Sequence, residues 1–474
     1  MSEFELSEEA MRAIVDAAMD RIVEFIGTLP AQPSVRLDGA EELARSLMEP
    51  LPEDGEPYEG LLERLFDDVI PVGFNTAGPG YLAYIPAGGL FQSAVGDFIA
   101  ESVNRYTSIW LPAPGLAQIE AVVVRWFCEI VGYPDEALGL LTTGGSMANF
   151  TAIFTARRER LEENFLGGMI YVSDQVHHSI QKAAMLAGFP ASSVRVVGSD
   201  GDYRMDLGEL QDMIAADRAA GGRPFFVVGS AGTVNTGAVD DLAGIAAIAA
   251  AHDLWFHVDA AYGGFFALTD RGREVLAGIE LSDSMSLDPH KSLFIPYGTG
   301  SLLVRERETL SRAHAIEAEA GYLPNMREHS DFVDFSEISP ELSRGHRGLR
   351  IWLPLKMHGA GAFRRQLDEK LDLARWITER LREIDGIEIV AAPQLSLVAF
   401  RLRRPDLSGD DLNELNRRFL DAVNDRRRIF ISHAVVGGEY VLRLCVLSFR
   451  THMPAMELAL EDIRAVVEEL RPSA

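Results

Sequence analysis

One lysine lies in a stretch whose residue types suit covalent chemistry. The chain has 44 lysines and arginines, of which only four are lysines, at positions 182, 291, 356 and 370. Lys291 lies in SLDPHKSLF, residues 286–294, at the end of a run that predicts a strand. A lysine in a partly desolvated site beside cationic groups has a lowered pKa, and its amine forms an imine with an aldehyde. A compositional bias of the source genome accounts for the general scarcity of lysine, but a lysine retained here favours a need for an amine.

A carboxylate precedes this lysine by 32 residues. Asp259 ends the apolar run in WFHVDAAYGGFF, residues 255–266. A carboxylate at the end of a buried strand is costly to desolvate unless a positive group pairs with it. The small residues Ala260 and Ala261 would let a flat ring lie against the backbone. The alternative interpretation is that Asp259 only caps the next element.

Two adjacent histidines follow another predicted strand. They are His177 and His178 in YVSDQVHHSI, residues 171–180. Adjacent side chains on a helix cannot both face one pocket, so at most one of them is functional. The alternative is that both are solvated or satisfied by ordinary hydrogen bonds.

A glycine pair feeds a helix in LTTGGSMANF, residues 141–150. Ser146 and Asn149 open this helix. Unpaired backbone N–H groups and the helix dipole at such a turn make a site for a phosphate or a carboxylate. A plain serine-capped helix start is the alternative for this motif taken alone.

Together the four motifs supply the parts that one cofactor needs. They are a phosphate cradle, a histidine ring for stacking, a carboxylate for a pyridinium nitrogen and an amine that forms an imine. Pyridoxal 5′-phosphate (PLP) requires this set, and the joint occurrence is far less probable by chance than any single motif.

Short apolar runs alternate with amphipathic helical patterns between about residues 140 and 305. The runs are 169–173, 194–197, 225–230, 254–259 and 300–305. Such alternation predicts an α/β fold with a mostly parallel central sheet flanked by helices, in which ligands sit at the carboxyl ends of strands. The residues singled out above would then meet at one edge of the sheet.

The chain is long enough for two cores. We expect an N-terminal helical segment over 1–70, a large PLP-binding domain over 71–350 and a smaller C-terminal α+β domain over 351–474. The polar stretch 321–348 contains Pro and Gly, is too irregular for a core element and is long enough to be an active-site loop.

The composition excludes several classes of partner. The formal charge of −27 and the pI near 4.8 argue against nucleic acid and anionic membranes. No apolar run approaches the roughly 20 residues that span a bilayer, and the first residues have helical spacing rather than the pattern of a signal or transit peptide. With only Cys128 and Cys445 as cysteines, we expect a cytoplasmic protein with no disulfide and no metal site.

The chain resembles the group II PLP-dependent amino-acid decarboxylases of the aromatic-L-amino-acid decarboxylase type. The resemblance extends from about residue 70 to 452, and HVDAAY and PHK together are its most specific part. Its motifs occur in the same chain order: GYLAYIPAGG (80–89), SIWLPAPGLAQIE (108–120), SDQVHHSI (173–180), HVDAAYGG (257–264), DPHK (288–291), RGLRIW (347–352) and VLRLCVLSFRT (441–451). It implies the architecture of fold-type-I PLP-dependent transferases and a homodimer with its active site at the subunit interface.

The resemblance also implies a role for each matching residue. Lys291 resembles the Schiff-base lysine, Asp259 the partner of the pyridine nitrogen, and His177, rather than His178, the histidine that stacks on the ring. The further cofactor contacts implied are Gly145, Ser146 and Met147 at the phosphate turn, Thr233, His290 near the phosphate, and Ala261 under the ring. Tyr322 matches a tyrosine on a mobile loop that reaches the neighbouring subunit and is thought to protonate the substrate carbon after CO2 leaves.

The reaction implied is decarboxylation of an L-amino acid to the amine and CO2. Tyr81, Tyr84, Ala87 and Trp110 fall in the segments that resemble the family's substrate pocket, and three of them are aromatic. The family's bulky residue after the lysine is Ser292 here, and Ala87 stands where a hydroxylated residue is common, so the substrate is left open. The alternatives are a non-aromatic, acidic substrate, an aldehyde synthase or carbon–carbon lyase on the same cofactor, and a non-catalytic protein that kept the fold.

Overall fold

The computed structural model of the chain describes residues 4–315 and 332–471. Its strands, in chain order, are β1 (Val35–Arg36), β2 (Gly73–Phe74), β3 (Leu138–Thr142), β4 (Gly168–Ser173), β5 (Val194–Val197), β6 (Arg223–Ser230), β7 (Trp255–Asp259), β8 (Ser284–Leu287), β9 (Gly300–Val304), β10 (Ile387–Ala391), β11 (Leu397–Leu402), β12 (Ser432–Val436) and β13 (Glu439–Cys445). The helices are α1 (Glu8–Thr28), α2 (Ala40–Ser46), α3 (Tyr58–Glu63), α4 (Phe91–Val103), α5 (Pro114–Val131), α6 (Gly145–Arg160), α7 (Ser179–Leu186), α8 (Leu207–Ala219), α9 (Leu242–His252), α10 (Asp270–Val275), α11 (Pro289–Ser292), α12 (Glu308–His314), α13 (Leu349–Arg382), α14 (Gly409–Asn424) and α15 (Met453–Glu469).

The larger sheet has seven strands in the order β3-β9-β8-β7-β6-β4-β5. Strands β5, β4, β6, β7 and β8 are parallel, and β9 runs antiparallel to both of its neighbours, β3 and β8. The apolar runs predicted as strands all form, and the predicted α/β fold with a mostly parallel sheet is confirmed. Because the parallel strands share a direction, their carboxyl ends lie at one edge of the sheet.

Helices cover both faces of this sheet, and the strands are apolar on both sides as a result. Successive residues of a strand point to opposite faces. Ile170 and Val172 therefore belong to one apolar cluster, whereas Tyr171 between them belongs to the other. Both clusters are buried, so the strand ends are held in place from two sides.

A second, antiparallel sheet lies in the C-terminal part, in the order β10-β11-β13-β12. It packs with α14, α15 and the second half of α13, whose helical path is interrupted at Gly359, where φ is +71°. Gly359 has no Cβ, so it adopts this left-handed conformation without strain. The division into segments 1–70, 71–350 and 351–474 stays a proposal.

The N-terminal segment begins with α1, whose first turn is capped by the Ser7 hydroxyl accepting from the backbone N–H of Ala10 at 3.1 Å. No residue of α1 is buried within one chain. Across the described ranges 4–315 and 332–471, none of the helices combines the length and the apolar character needed to cross a bilayer.

Candidate active site

A cavity of about 500 Å3 opens at the carboxyl edge of the seven-stranded sheet. Most of the candidate residues from the sequence line it: Tyr81, Tyr84, Gly145, Ser146, Met147, His177, Thr233, Asp259, Ala261, His290 and Lys291. Segments far apart in the chain thus meet at one place. The strands β4, β6, β7 and β8 are parallel neighbours, and β3 runs in the same direction on the far side of β9, so the segments that follow these strands share one edge.

Two of the other candidates, Ala87 and Trp110, lie outside the cavity lining. Ala87 is buried and Trp110 stacks on Phe332 with ring centroids 4.0 Å apart, and neither lines the cavity that the described part of one chain forms. Tyr322 lies outside the described residues. The substrate-pocket and loop assignments of these three residues stay predictions.

Lys291 stands on the short helix α11, directly after β8. Its Nζ lies 3.0 Å from Oδ2 of Asp288, and its side chain is 24% exposed. Burial acts to lower the pKa of Lys291, but the carboxylates of Asp288 and Asp259 outweigh burial and raise the pKa above its ordinary value. The expectation of a lowered pKa was therefore wrong, because the neighbours of the free amine are anionic rather than cationic.

A second lysine is buried without lining the cavity. The Nζ of Lys370 donates to the carbonyl of Thr451 at 2.5 Å and pairs with Glu369 at 3.0 Å. It ties α13 to the turn before α15. Scarcity of lysine therefore does not by itself identify a reactive amine, and the cavity is what distinguishes Lys291 from Lys370.

Asp259 accepts three hydrogen bonds at the end of β7. Its Oδ1 accepts from the backbone N–H of Ala261 and from the hydroxyl of Ser286, both at 3.2 Å, and its Oδ2 accepts from Nδ2 of Asn149 at 3.3 Å. These donors lie directly after β7, on β8 and on α6, so the carboxylate is held in one orientation while it faces the cavity.

A chain of hydrogen bonds connects Asn149 with two histidines. Because Oδ1 of Asn149 only accepts and lies 3.1 Å from Nε2 of His257, His257 carries its proton on Nε2. The Nδ1 of His257 then accepts from the hydroxyl of Ser284 at 2.8 Å. Burial lowers the pKa of His257 to about 4, although Asp259 opposes this effect, and the ring is neutral.

The same network fixes the orientation of His177. The Nδ2 of Asn149 donates to the Ser179 hydroxyl at 3.0 Å, and that hydroxyl lies 2.7 Å from Nδ1 of His177. The backbone N–H of Ser179 also donates to this nitrogen, at 3.2 Å. His177 Nδ1 is therefore an acceptor, and burial lowers the pKa of the ring, so neutral His177 carries its proton on Nε2.

The lowered pKa values of these buried histidines predict that the protein loses stability in acid. The unfolded chain binds a proton at His257 near pH 6.5, whereas the folded chain binds it only near pH 4. The contribution of this histidine to the free energy of unfolding is complete above about pH 6.5. It is lost as the pH falls toward 4, at about 1.4 kcal/mol per pH unit. We expect denaturant unfolding at pH 7, 6 and 5 to show this fall, with His314 adding to it since burial lowers its pKa to about 4 as well.

The matched variants for this experiment are His257→Gln and His358→Gln. His358 is an exposed histidine on α13, so its replacement is expected to leave the pH dependence unchanged. The His257→Gln variant is expected to lose part of the slope between pH 6.5 and 4. An identical slope in His257→Gln and the parent protein would contradict this interpretation.

The glycine turn leads into α6 at the side of the cavity. Gly144, with φ at +151°, is the N-cap residue of the helix and has no side chain with which to cap the first turn. Gly145, Ser146 and Met147 follow and line the cavity. The N-terminus of a helix of 16 residues, left without a side-chain cap, suits an anion.

Arg443 is a cavity-lining residue that the sequence analysis did not single out. It lies on β13 and is 4% exposed. Its Nε donates to the carbonyl of Asn235 at 2.9 Å and its Nη1 to the hydroxyl of Ser432 at 3.2 Å. Its Nη2 is buried and has no hydrogen-bond partner within 4–315 and 332–471. A buried guanidinium N–H without an acceptor is costly, so an anion in the cavity would satisfy it.

Residues 41–403 match the family model of the pyridoxal-dependent decarboxylase conserved domain. The chain belongs to the pyridoxal-dependent decarboxylase family. The aromatic-L-amino-acid decarboxylase of Bacillus atrophaeus is 33% identical over 473 residues, covering 99% of this chain and 98% of that protein. The crystal structure of Oryza sativa TDC with PLP and tryptamine superposes with a TM-score of 0.94 at 25% identity, over 99% of this chain and 100% of that chain. Catharanthus roseus tryptophan decarboxylase in complex with L-tryptophan gives a TM-score of 0.91 at 27% identity, over 98% of this chain and 100% of that chain.

Membership in this family makes the chain a PLP-dependent amino-acid decarboxylase with the fold-type-I architecture. The residues of the cavity fit the cofactor. The uncapped start of α6 suits its phosphate, and Ala261, only 8% exposed, offers a flat surface for its ring. Asp259 and Lys291 supply a carboxylate and an amine at the two positions that the sequence predicts.

Sequence reasoning on this decarboxylase missed Arg443 and Asp288 as separate candidates. Arg443 interrupts an apolar strand in VLRLCVL, and a charged residue inside a buried run is a signal that could have identified it. Asp288 was visible beside Lys291 in DPHK, but its proximity to the glycine turn depends on the packing of α6 against β8 and was not readable from the sequence.

Proposed function

We propose that this decarboxylase converts an aromatic L-amino acid to the corresponding amine and CO2. The observation that carries the proposal is the full-length similarity to a relative named as an aromatic-L-amino-acid decarboxylase. The cavity supports it, because Tyr81, Tyr84 and Tyr297 line its wall and offer apolar ring surfaces together with hydroxyl groups. An aromatic side chain packs well against such a wall.

Four residues of the cavity have a proposed role in the reaction. When bound, PLP supplies an electron sink for the electrons left when the bond to the carboxylate breaks. Lys291 would hold the cofactor covalently, and Asp259 would hold a proton at the ring nitrogen. His177 and Ala261 would pack against the ring and keep it in one orientation.

The remaining cofactor contacts are proposed at the phosphate end. Gly145, Ser146 and Met147 offer backbone N–H groups at the start of α6, and His290 lies nearby on α11. The hydroxyl of Thr233 lies 2.9 Å from that of Thr236 and accepts from the backbone N–H of Ala238 at 3.1 Å, so Thr233 contributes a fixed side chain to the wall.

Arg443 is proposed to orient the substrate by its carboxylate. Its free Nη2 can donate a charge-assisted hydrogen bond, while Asn235 and Ser432 hold the rest of the guanidinium. When the substrate carboxylate is fixed, the bond between it and the α-carbon keeps one direction. Exclusion of water from the carboxylate favours its departure as neutral CO2.

Replacing Arg443 by lysine is expected to raise the KM for the amino acid about tenfold or more, which corresponds to about 1.4 kcal/mol of binding free energy. The reason is that the single ammonium of lysine cannot reproduce the several N–H donors of the planar guanidinium. Steady-state kinetics of CO2 release provide the measurement. Arg401→Lys is the matched control, because Arg401 is a buried arginine of the neighbouring strand β11 that pairs with Glu388 and Glu439 away from the cavity. Equal KM values in the two variants would remove Arg443 from substrate binding.

The substrate class is tested by CO2 release from a panel of amino acids. We expect turnover of tryptophan, tyrosine or phenylalanine to exceed that of glutamate and aspartate. Amine production without ammonia or peroxide identifies simple decarboxylation rather than aldehyde formation. Preferential turnover of the acidic amino acids would refute the aromatic assignment and leave the family assignment intact.

We also propose that two copies of the chain form a homodimer with the active site at their interface. Phe98, Ile99 and Val103 on α4 are exposed within one chain, which supports a covering partner. Tyr322 stays the proposed proton donor at the substrate carbon, and a cytoplasmic location stays a prediction from the sequence. Light scattering of the purified protein reports the oligomeric mass.

A further inference from the structure

Asp288 is a buried carboxylate placed between the active-site lysine and the glycine turn. Its side chain is 4% exposed, and its Oδ2 lies 3.0 Å from Nζ of Lys291. A Cβ atom built on Gly145 would stand 3.0 Å from the same oxygen, so the turn passes in contact with the carboxylate. Asp288 therefore adjoins both the amine and the proposed phosphate site.

The second oxygen of Asp288 lacks a donor. Its Oδ1 is buried and has no hydrogen-bond partner in the part of the chain that the structure describes. The Nδ1 of His290 lies 3.7 Å away and donates instead to the carbonyl of Thr299 at 2.6 Å. The cavity wall also carries His177, Asp259, Tyr297 and Arg443. Asn235 and Ser432 hold the guanidinium of Arg443, so among the described residues Lys291 is the cation in contact with this carboxylate.

Both neighbours of Asp288 change when the cofactor binds. Once linked, Nζ no longer has an ammonium group to share with the carboxylate, and a phosphate at the turn brings negative charge close to it. A buried carboxylate without a cation and beside another anion is strongly disfavoured. A protonated carboxyl group, in contrast, is neutral and can donate a hydrogen bond to a phosphate oxygen.

We propose that Asp288 takes the ammonium proton of Lys291 as the cofactor binds and then keeps it, donating to the phosphate as a carboxylic acid. One Nζ–H bond breaks and one O–H bond forms on Asp288. The neutral amine then adds through its lone pair to the aldehyde carbon. Water leaves with the aldehyde oxygen and the two remaining amine hydrogens, so atoms and charge balance. This inference rests on the proposed roles of Lys291 and of the glycine turn.

Asp288 then has two roles when the cofactor is loaded. It keeps the amine of Lys291 protonated close to the glycine turn, which prevents reaction with other aldehydes. It releases the amine in response to a phosphate, so that covalent linkage is coupled to recognition of the phosphate group. Pyridoxal, which has the same aldehyde and no phosphate, separates these two effects.

Infrared difference spectra between cofactor-loaded and cofactor-free protein test the protonation directly. Loading with PLP is expected to produce the carbonyl stretch of a carboxylic acid, which shifts in D2O because the proton exchanges. Asp288→Asn is expected to lose this band and to keep the visible absorbance of the linked cofactor. Asp283→Asn is the matched control, since Asp283 precedes β8 just as Asp288 follows it, and burial raises its pKa. That control keeps the band.

The possible outcomes separate this inference from the proposed function. If the protein develops the visible absorbance and no acid band, or if the band persists in Asp288→Asn, the role of Asp288 is wrong and the function stands. A band of equal strength with pyridoxal would overturn the phosphate response. Absence of visible absorbance in the parent protein would contradict the role of Lys291 instead. Should Asp288→Asn fail to fold, the loaded-minus-free spectrum of the parent protein decides alone.

Discussion

Lys291→Ala is expected to lose the covalent cofactor and to lower CO2 release about a thousandfold or more, which corresponds to about 4 kcal/mol of transition-state stabilisation. The reason is that Nζ of Lys291 is the amine at the cavity wall, where it faces Asp288 and Asp259. Without it the cofactor can bind only through its phosphate and ring. Absorbance spectra before and after gel filtration measure the covalent link, and a CO2 assay measures turnover.

Lys182→Ala is the matched control for this variant, because Lys182 is an exposed lysine on α7. It should leave the spectrum and the turnover unchanged. Full activity in Lys291→Ala would contradict the central assignment. Lys370 is unsuitable as a control, since its removal would take away the buried ammonium that donates to the carbonyl of Thr451 and would disturb folding.

Asp259→Asn is expected to retain the covalent cofactor and to lose about a hundredfold or more in turnover, which corresponds to about 3 kcal/mol. A neutral amide cannot hold a proton at the ring nitrogen, so the ring accepts electrons poorly. In either orientation the amide would place its NH2 against a donor, which is Nδ2 of Asn149 in one orientation and the backbone N–H of Ala261 in the other. Single-turnover kinetics with spectral detection separate linkage from bond breaking.

The control for Asp259→Asn is Asp270→Asn, which removes the same charge from a side chain that is 95% exposed. Its turnover should equal that of the parent protein. Loss of cofactor in Asp259→Asn would show a structural role for this carboxylate. Turnover within a few-fold of the parent protein would remove Asp259 from the reaction.

Much of the fold follows from local pattern. The runs 169–173 and 225–230 form strands because continuous apolar segments of this length are buried on both faces of a parallel sheet. The carboxyl ends of parallel strands share an edge, which is why the sequence alone predicts that Asp259 and Lys291 meet across 32 residues. Which residue of a segment faces the cavity is not set by pattern, and the placement of Trp110 against Phe332 is an example.

The sequence by itself determined the class of fold, the order of the reactive groups and the chemistry that those groups permit. Tertiary structure alone decided their charge and their partners. Lys291 is held as an ammonium because two carboxylates from different strand ends lie close to it. Asn149, on a helix more than 100 residues before His257, orients both His257 and His177 through hydrogen bonds. Electrostatic energy and hydrogen bonding depend on distances of a few ångströms between segments, and those distances exist only once the strands have paired and the helices have packed on them.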